Sequence, residues 1–309
     1  MGNCFSIKPD YFPGEYRYSR RDFMKKTGYA TLTGLAACVS CSGDTMKDTH
    51  DISDCVFGVV ADLHYADKEM AINRYYRESD EKLRVCIETW NSLKPAFVIE
   101  LGDLIDGADR EIELNYLETI NSIYSSFAGN RYYILGNHDL ATLSKDEFIS
   151  HSGMIRNFYS FDESAFHFVV LDANYNRDGS DYQAGNFDWT ETYIHKSQQE
   201  WLRQDLEKNH QKTTIVFVHQ NLHDEHSSYG VKNATEIRTI LEHAGNIRLV
   251  LQGHDHKGAF DRINGIPYVT LKAAVDGSGL KNNAYAMVYI RKDGVIHIKG
   301  YGKQGDFEI

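Results

Sequence analysis

Five short polar clusters, each directly after an apolar run, hold the residues whose types and spacing can do chemistry. They are Asp62-Leu63-His64, Gly102-Asp103-Leu104-Ile105-Asp106, Gly136-Asn137-His138-Asp139, His219 behind Ile215-Val216-Phe217-Val218, and Gly253-His254-Asp255-His256. Together they offer carboxylate oxygens, an amide oxygen and imidazole nitrogens. Hard oxygen mixed with imidazole suits Mn, Fe or Zn rather than calcium. The set is large enough to hold two divalent metal ions side by side. A two-metal centre binds a phosphoryl group and makes hydroxide at neutral pH. No serine-elbow or Cys–His pattern competes as a nucleophile.

The elements that must position these residues are legible around them. Continuous apolar runs at 55–61, 96–101 and 132–135 read as buried strands, separated by helical patterns over about 68–92 and 110–127. Ser144 with Glu147, Ser197 with Glu200 and Asn233 with Glu236 have the spacing of capping boxes, and Gly245 closes the last of those helices. Further strands fall at 165–172, 213–219 and 247–252, then at 259–263, 268–272, 284–291 and 295–301. Pro267 stands just ahead of the second strand of that last group, and Asp293-Gly294 marks a hairpin between its last two. The order is β-α-β-α-β followed by mostly antiparallel β. An α/β domain of two packed sheets with outer helices accommodates it. Residues 173–196 form a long insertion without periodicity, a length often tied to function. Asp62, Asp103, Asn137, His219 and His254 all fall at or just beyond a strand's carboxyl end, where ligands bind in open α/β sheets. A lone Asp there is an ordinary cap or turn former. Chance supplies one such cluster among 14 histidines easily; five at strand ends it does not.

The chain's 309 residues suffice for one large domain, and 33 Lys+Arg against 44 Asp+Glu give a net charge of −11. No basic run follows residue 26, which disfavours a nucleic-acid polymer as partner. A small phosphorylated substrate stays open, because local metal charge outweighs net charge. Five cysteines, at 4, 38, 41, 55 and 86, form no disulfide framework; Cys55 and Cys86 read as buried fillers. Ser19-Arg20-Arg21-Asp22-Phe23-Met24-Lys25 resembles a twin-arginine export signal. The apolar stretch 29–37 behind it is too short to span a bilayer. Leu35-Ala36-Ala37-Cys38 resembles a lipobox, which would lipidate Cys38 and anchor the chain in a bacterial membrane; ordinary small-residue cleavage nearby is the alternative. A myristoylation-type start at 1–6 reads as chance. The expected organisation is an export signal at 1–37, a polar tether at 38–54 and a catalytic domain at 55–309. The expected location is exported, either periplasmic or membrane-anchored.

Asp-x-His, Gly-Asp-x-x-Asp, Gly-Asn-His-Asp, a strand-end His and Gly-His-x-His resemble the calcineurin-like metallophosphoesterase superfamily over about residues 55–301. The resemblance implies a four-layer sandwich of two mixed sheets flanked by helices. It implies that Asp62, His64 and His256 hold a first metal, that Asn137, His219 and His254 hold a second, and that Asp103 bridges both. A hydroxide between the metals would attack phosphorus. His138 would stand by the phosphoryl group and protonate the leaving oxygen or stabilise its charge, oriented by Asp106. Asn137 would also contact substrate.

A narrower likeness is to the manganese-dependent ADP-ribose/CDP-alcohol diphosphatases. It rests on 61–67, Arg74-Tyr75-Tyr76-Arg77-Glu78-Ser79, Trp90-Asn91, Gly102–Gly107 and Gln198-Gln199-Glu200-Trp201-Leu202. It implies Arg74 at the mouth of the site, contacting a diphosphate. His64 replaces the branch's usual Gln, Asp139 its usual Glu, and 173–193 differs. The expected function is hydrolysis of a small phosphodiester or diphosphate, such as ADP-ribose or a CDP-alcohol. A phosphomonoesterase, a cyclic-nucleotide phosphodiesterase and a non-catalytic tethered binding module are the alternatives.

Overall fold

The computed structural model describes residues 54–309; the export signal and all but the last residue of the expected tether lie outside them. Strand and helix alternate first: β1 (Cys55–Val60), α1 (Ser79–Leu93), β2 (Phe97–Glu100), α2 (Arg110–Tyr124), β3 (Asn130–Tyr133) and α3 (Lys145–Ser152). Next come β4 (Tyr159–Glu163), β5 (Phe166–Val170), α4 (Lys196–Lys208), β6 (Thr213–Val218), α5 (Ala234–Ala244) and β7 (Ile247–Gln252). The chain ends in β8 (Ala259–Ile263), β9 (Ile266–Thr270), β10 (Ala284–Ile290), β11 (Ile296–Gly302) and β12 (Phe307–Glu308). Among the described residues no helix is long and apolar enough to cross a membrane.

Two six-stranded sheets result, in the orders β12-β11-β10-β1-β2-β3 and β4-β5-β6-β7-β9-β8. β1–β2 and β2–β3 run parallel in the first, and β5–β6, β6–β7 and β7–β9 in the second. The remaining pairings, including β1–β10 at the middle of the first sheet, are antiparallel. This is the mixed, two-sheet α/β architecture expected.

The continuous apolar runs have a packing cause. In β6, Ile215 and Phe217 join the core shared by the two sheets, while Val216 and Val218 join a second core with Leu202, Leu206, Ile237 and Leu241 of α4 and α5. A strand buried on both faces cannot alternate with polar residues. Phe57 stacks on Phe97 at 4.9 Å and meets Phe217 edge-on at 5.6 Å, joining the sheets through aromatic contacts. On the other face of the first sheet, Trp90 of α1 lies over Gly58, where a Cβ would come within 2.5 Å of its Nε1.

Several expectations need correcting. The helix expected from 68 begins at Ser79. Residues 68–78 cross the mouth of the site instead, with Ile72 at φ 59° and Tyr75 N donating to Val275 O at 3.1 Å. Of the three capping boxes, only Ser144 with Glu147 forms. Ser197 is inside α4, which His195 caps by accepting from Ser197 N. Asn233 turns away, its Oδ1 accepting from Ile194 N at 3.0 Å. Pro267 lies within β9 rather than ahead of it, opposite Arg262. The pairing of β9 with β7 begins at Tyr268, so the missing N–H costs no bond there. The C-terminal strands also divide: β8 and β9 extend the second sheet, β10 to β12 the first. β4 and β12 had no apolar run to announce them. Cys55 and Cys86 are free and buried, as expected.

Candidate metal centre

The parallel strands deliver the clusters. Asp62 follows β1, Asp103 follows β2, Asn137 follows β3, and His219 and His254 follow β6 and β7. Asp62, His64, Asp103 and His254 have φ of 55°, 45°, 59° and 69°. Each non-glycine residue in that region costs about 1 kcal/mol, and such strain persists where surroundings over-determine it. Here the turns are tied together: Asp62 N donates to Gly102 O, His64 N to Asp103 O and Gly253 N to His219 O. Asp139 accepts from Asp103 N, Ile105 N and Gly136 N at 3.0, 3.1 and 2.8 Å, locking the second cluster to the third.

The seven expected ligands converge. Asp103 Oδ1 accepts from His138 N at 2.8 Å, which leaves Oδ2 free, 3.4 Å from His64 Nε2 and 3.2 Å from His219 Nε2. On one side, His64 Nε2 and His256 Nε2 face each other at 3.1 Å, with Asp62 Oδ1 3.9 and 3.8 Å away. On the other, Asp103, His219 and His254 place ligand atoms within 4.8 Å of one another. The fit to cations is visible in what is left unpaired. Asn137 Oδ1, His219 Nε2 and His254 Nε2 are buried without a hydrogen-bond partner. Each such atom costs roughly 1–3 kcal/mol. Asp62 and Asp103 are buried carboxylates beside them, and buried anions need compensation. This donor set fits two divalent cations, one that Asp62, His64 and His256 would hold and one that Asp103, His219 and His254 would hold.

The imidazoles are set up to coordinate. His219 Nδ1 donates to Leu101 O at 2.8 Å, His64 Nδ1 lies 3.0 Å from Asp106 Oδ2, and His256 Nδ1 lies 3.0 Å from Asp276 Oδ1. With the outer nitrogen occupied, the inner Nε2 presents its lone pair. Burial pushes His64 down to about 3, against the pull of Asp103 and Asp106, so its ring is neutral. Burial, and then His219, hold His254 well below the usual imidazole range. Burial disfavours charge on His219 too, but Asp103 outweighs it and lifts the ring to about 9. A cation held at Nε2 would take the place of that proton.

His138 is at the edge of a cavity of about 460 Å³ that opens over both groups. Its Nδ1 is 3.4 Å from Asp106 Oδ2, and its Nε2 is 3.4 Å from Arg74 Nη1. Asp106 therefore touches His138 as expected, but it also holds His64, accepts from Arg74 at 3.0 Å and from Lys68 at 2.5 Å. Arg74 lines the cavity, whereas Arg77 pairs at the surface with Asp67 and Glu69. Sequence reasoning missed Lys68, which carries no motif. It also missed Asp276, although that residue follows the apolar run at 273–275 just as the recognised clusters follow theirs. Trp189, from the long insertion, and Tyr229 also line the cavity, with rings 5.6 and 5.5 Å from His254.

Comparison with known proteins agrees with this geometry. Residues 56–258 match the calcineurin-like phosphoesterase family profile. The chain is 28% identical over 286 residues to a manganese-dependent ADP-ribose/CDP-alcohol diphosphatase from Arabidopsis thaliana, covering 76% of this chain and 91% of the plant protein. A rice protein of the same name is 26% identical over 267 residues, covering 71% and 83%. A dimetal phosphatase from Danio rerio superposes with a TM-score of 0.74 at 22% identity, covering 83% of this chain and 99% of the fish protein. The profile spans well over half of the chain and ends just past the last polar cluster. The chain thus belongs to the calcineurin-like phosphoesterase family, as a hydrolase of phosphoester bonds that uses two divalent metal ions.

Proposed function

We propose that the enzyme cleaves a small phosphodiester or diphosphate, a nucleoside-diphosphate-linked compound such as ADP-ribose or a CDP-alcohol. The observation that carries the dinuclear reading is Asp103 Oδ2, the one carboxylate oxygen among the described residues that lies within 3.4 Å of a histidine from each group. In this reading Asp62, His64 and His256 hold one cation, Asn137, His219 and His254 the other, and Asp103 both. When bound, the pair supplies an activated water and neutralises phosphoryl oxygens. The chain supplies the rest. His138, at the cavity edge with Nε2 beside Arg74 Nη1, hands a proton to the leaving oxygen, while Asp106 fixes the ring through Nδ1. Burial disfavours the His138 cation, yet Asp103 and Asp106 raise the ring above its ordinary value, which keeps that proton available. The amide of Asn137 meets a phosphoryl oxygen.

The diphosphate reading rests on Arg74, a guanidinium on the cavity wall, on Trp189 and Tyr229 as surfaces on which a base stacks, and on the names of the relatives. ADP-ribose, CDP-choline, cyclic AMP and an aryl phosphate are to be compared with added Mn, Fe and Zn on protein lacking residues 1–38. The two diphosphates should lead, and Arg74→Ala should weaken them more than the aryl phosphate. Preference for the aryl phosphate or cyclic AMP would replace this reading with the monoesterase or cyclic-nucleotide one. Export with lipidation at Cys38 belongs to the same proposal; a cytosolic protein with an uncleaved N-terminus would contradict it.

A further inference from the structure

Of the seven residues assigned to the cations, His256 alone is not buried, with 17% of its side chain exposed. A ring that is only partly buried is held less firmly by packing, and a partner outside the site can fix its angle. Asp276 is placed to do so, with Oδ1 3.0 Å from His256 Nδ1. It belongs to none of the groups able to hold a metal.

The backbone bearing Asp276 is unusually well fixed. Residues 273–277 pair on one side with the first cluster, Ala274 N donating to Ala61 O and Val275 N to Asp62 O, both at 3.0 Å. On the other side Gly277 N donates to Asn73 O at 2.9 Å and Val275 O accepts from Tyr75 N, so the strap also brackets Arg74. Beneath it lies Lys82 of α1, a fully buried lysine whose Nζ donates to Ala274 O, Val275 O and Gly277 O at 2.8, 3.1 and 2.7 Å. Lys303 Nζ donates to Asp276 O. A buried ammonium satisfied only by carbonyls is costly unless all its bonds are kept, so the strap cannot shift without losing them.

We propose that Asp276 is a positioning residue: from this anchored strap it fixes the tautomer and ring angle of His256, and so sets the affinity of the first metal position. The proposal rests on the dinuclear reading above. Carboxylate partners of ligating histidines contribute about 10–100-fold to metal affinity.

The test is Mn²⁺ titration calorimetry on the metal-stripped full chain, with kcat measured against Mn²⁺. For Asp276→Ala, one of the two binding events should weaken by about 10–100-fold while the other is unchanged. Saturating Mn²⁺ should restore most of kcat. Asp276→Asn keeps the shape and an acceptor oxygen, so it should fold and fall between the two. Wild-type titration in both variants would overturn the proposal, and so would equal weakening of both events with a lowered melting temperature. Wild-type protein binding a single Mn²⁺ would overturn the dinuclear reading itself, and the proposal with it.

Discussion

Gly136 offers a perturbation whose size can be read from the structure. Its φ lies outside the left-handed region, so only space is at issue. A Cβ added there would sit 2.1 Å from Asp103 N and 2.2 Å from Asp103 Oδ1, where real contacts stay above 3.0 Å. Relief therefore requires about 1 Å of separation between the third cluster and the carboxylate shared by both cations. That movement is opposed by Asp139, which bonds Gly136 N and Asp103 N through the same oxygen at 2.8 and 3.0 Å. A 1 Å misplacement at a reacting centre costs roughly 10²-fold in rate, or about 2.7 kcal/mol of activation free energy. Overpacking should also lower stability by about 1–3 kcal/mol. Gly136→Ala is to be assayed with a bis-aryl phosphate at saturating Mn²⁺, beside its metal content. Gly305→Ala, which adds a methyl with nothing within 4 Å, is the control. A Gly136→Ala enzyme with two cations and kcat/KM within about threefold of wild type would refute the steric reasoning and the placement of Asp103.

Three further outcomes follow from the same site. His138→Ala should retain both cations by elemental analysis and lose about 10²–10⁴ in kcat; an emptied site would show that His138 is not the proton donor. Asp103→Ala should lose both cations, because the oxygen shared by the two groups is removed; retention of one at wild-type affinity would contradict the bridging role. Glu100 is fully buried, and burial, then Asp139, push it well above its ordinary value near 4.5, against a weaker opposing pull from the Gly102 backbone N–H. The unfolded chain ionises there first, so stability falls as pH rises from about 4.5 towards the folded value, by up to about 1.4 kcal/mol per pH unit. Glu100→Gln should flatten that decline in melting temperature of the metal-free protein, and superimposable profiles would show that Glu100 is not held protonated.

The site was legible because its residues obey a local rule. Each cluster follows a strand, the strands ahead of four of the five (β1, β2, β6 and β7) are buried on both faces, and both features are written in consecutive residues. What escaped was decided by partners distant in the chain. Lys68 and Arg74 belong to a helical pattern until Asp106 draws their side chains down and Val275 pairs with the Tyr75 backbone, which keeps residues 68–75 out of any helix and confines 76–78 to a single 3-10 turn ahead of α1. Propensity is a weak prior against such contacts. Asn233 has the type and spacing of a cap, but Ile194 N, 39 residues away, takes its oxygen. β10 to β12 read as the continuation of β8 and β9, yet β10 is inserted beside β1, a choice no local pattern encodes. The shared carboxylate belongs to the same class: Asp103 announces itself as a strand-end aspartate, but its service to two groups depends on His64 and His219 arriving from different sheets. A sequence lists the donors; only the packing of the two sheets decides which of them share an oxygen, and hence whether the chain holds two separate ions or one reactive pair.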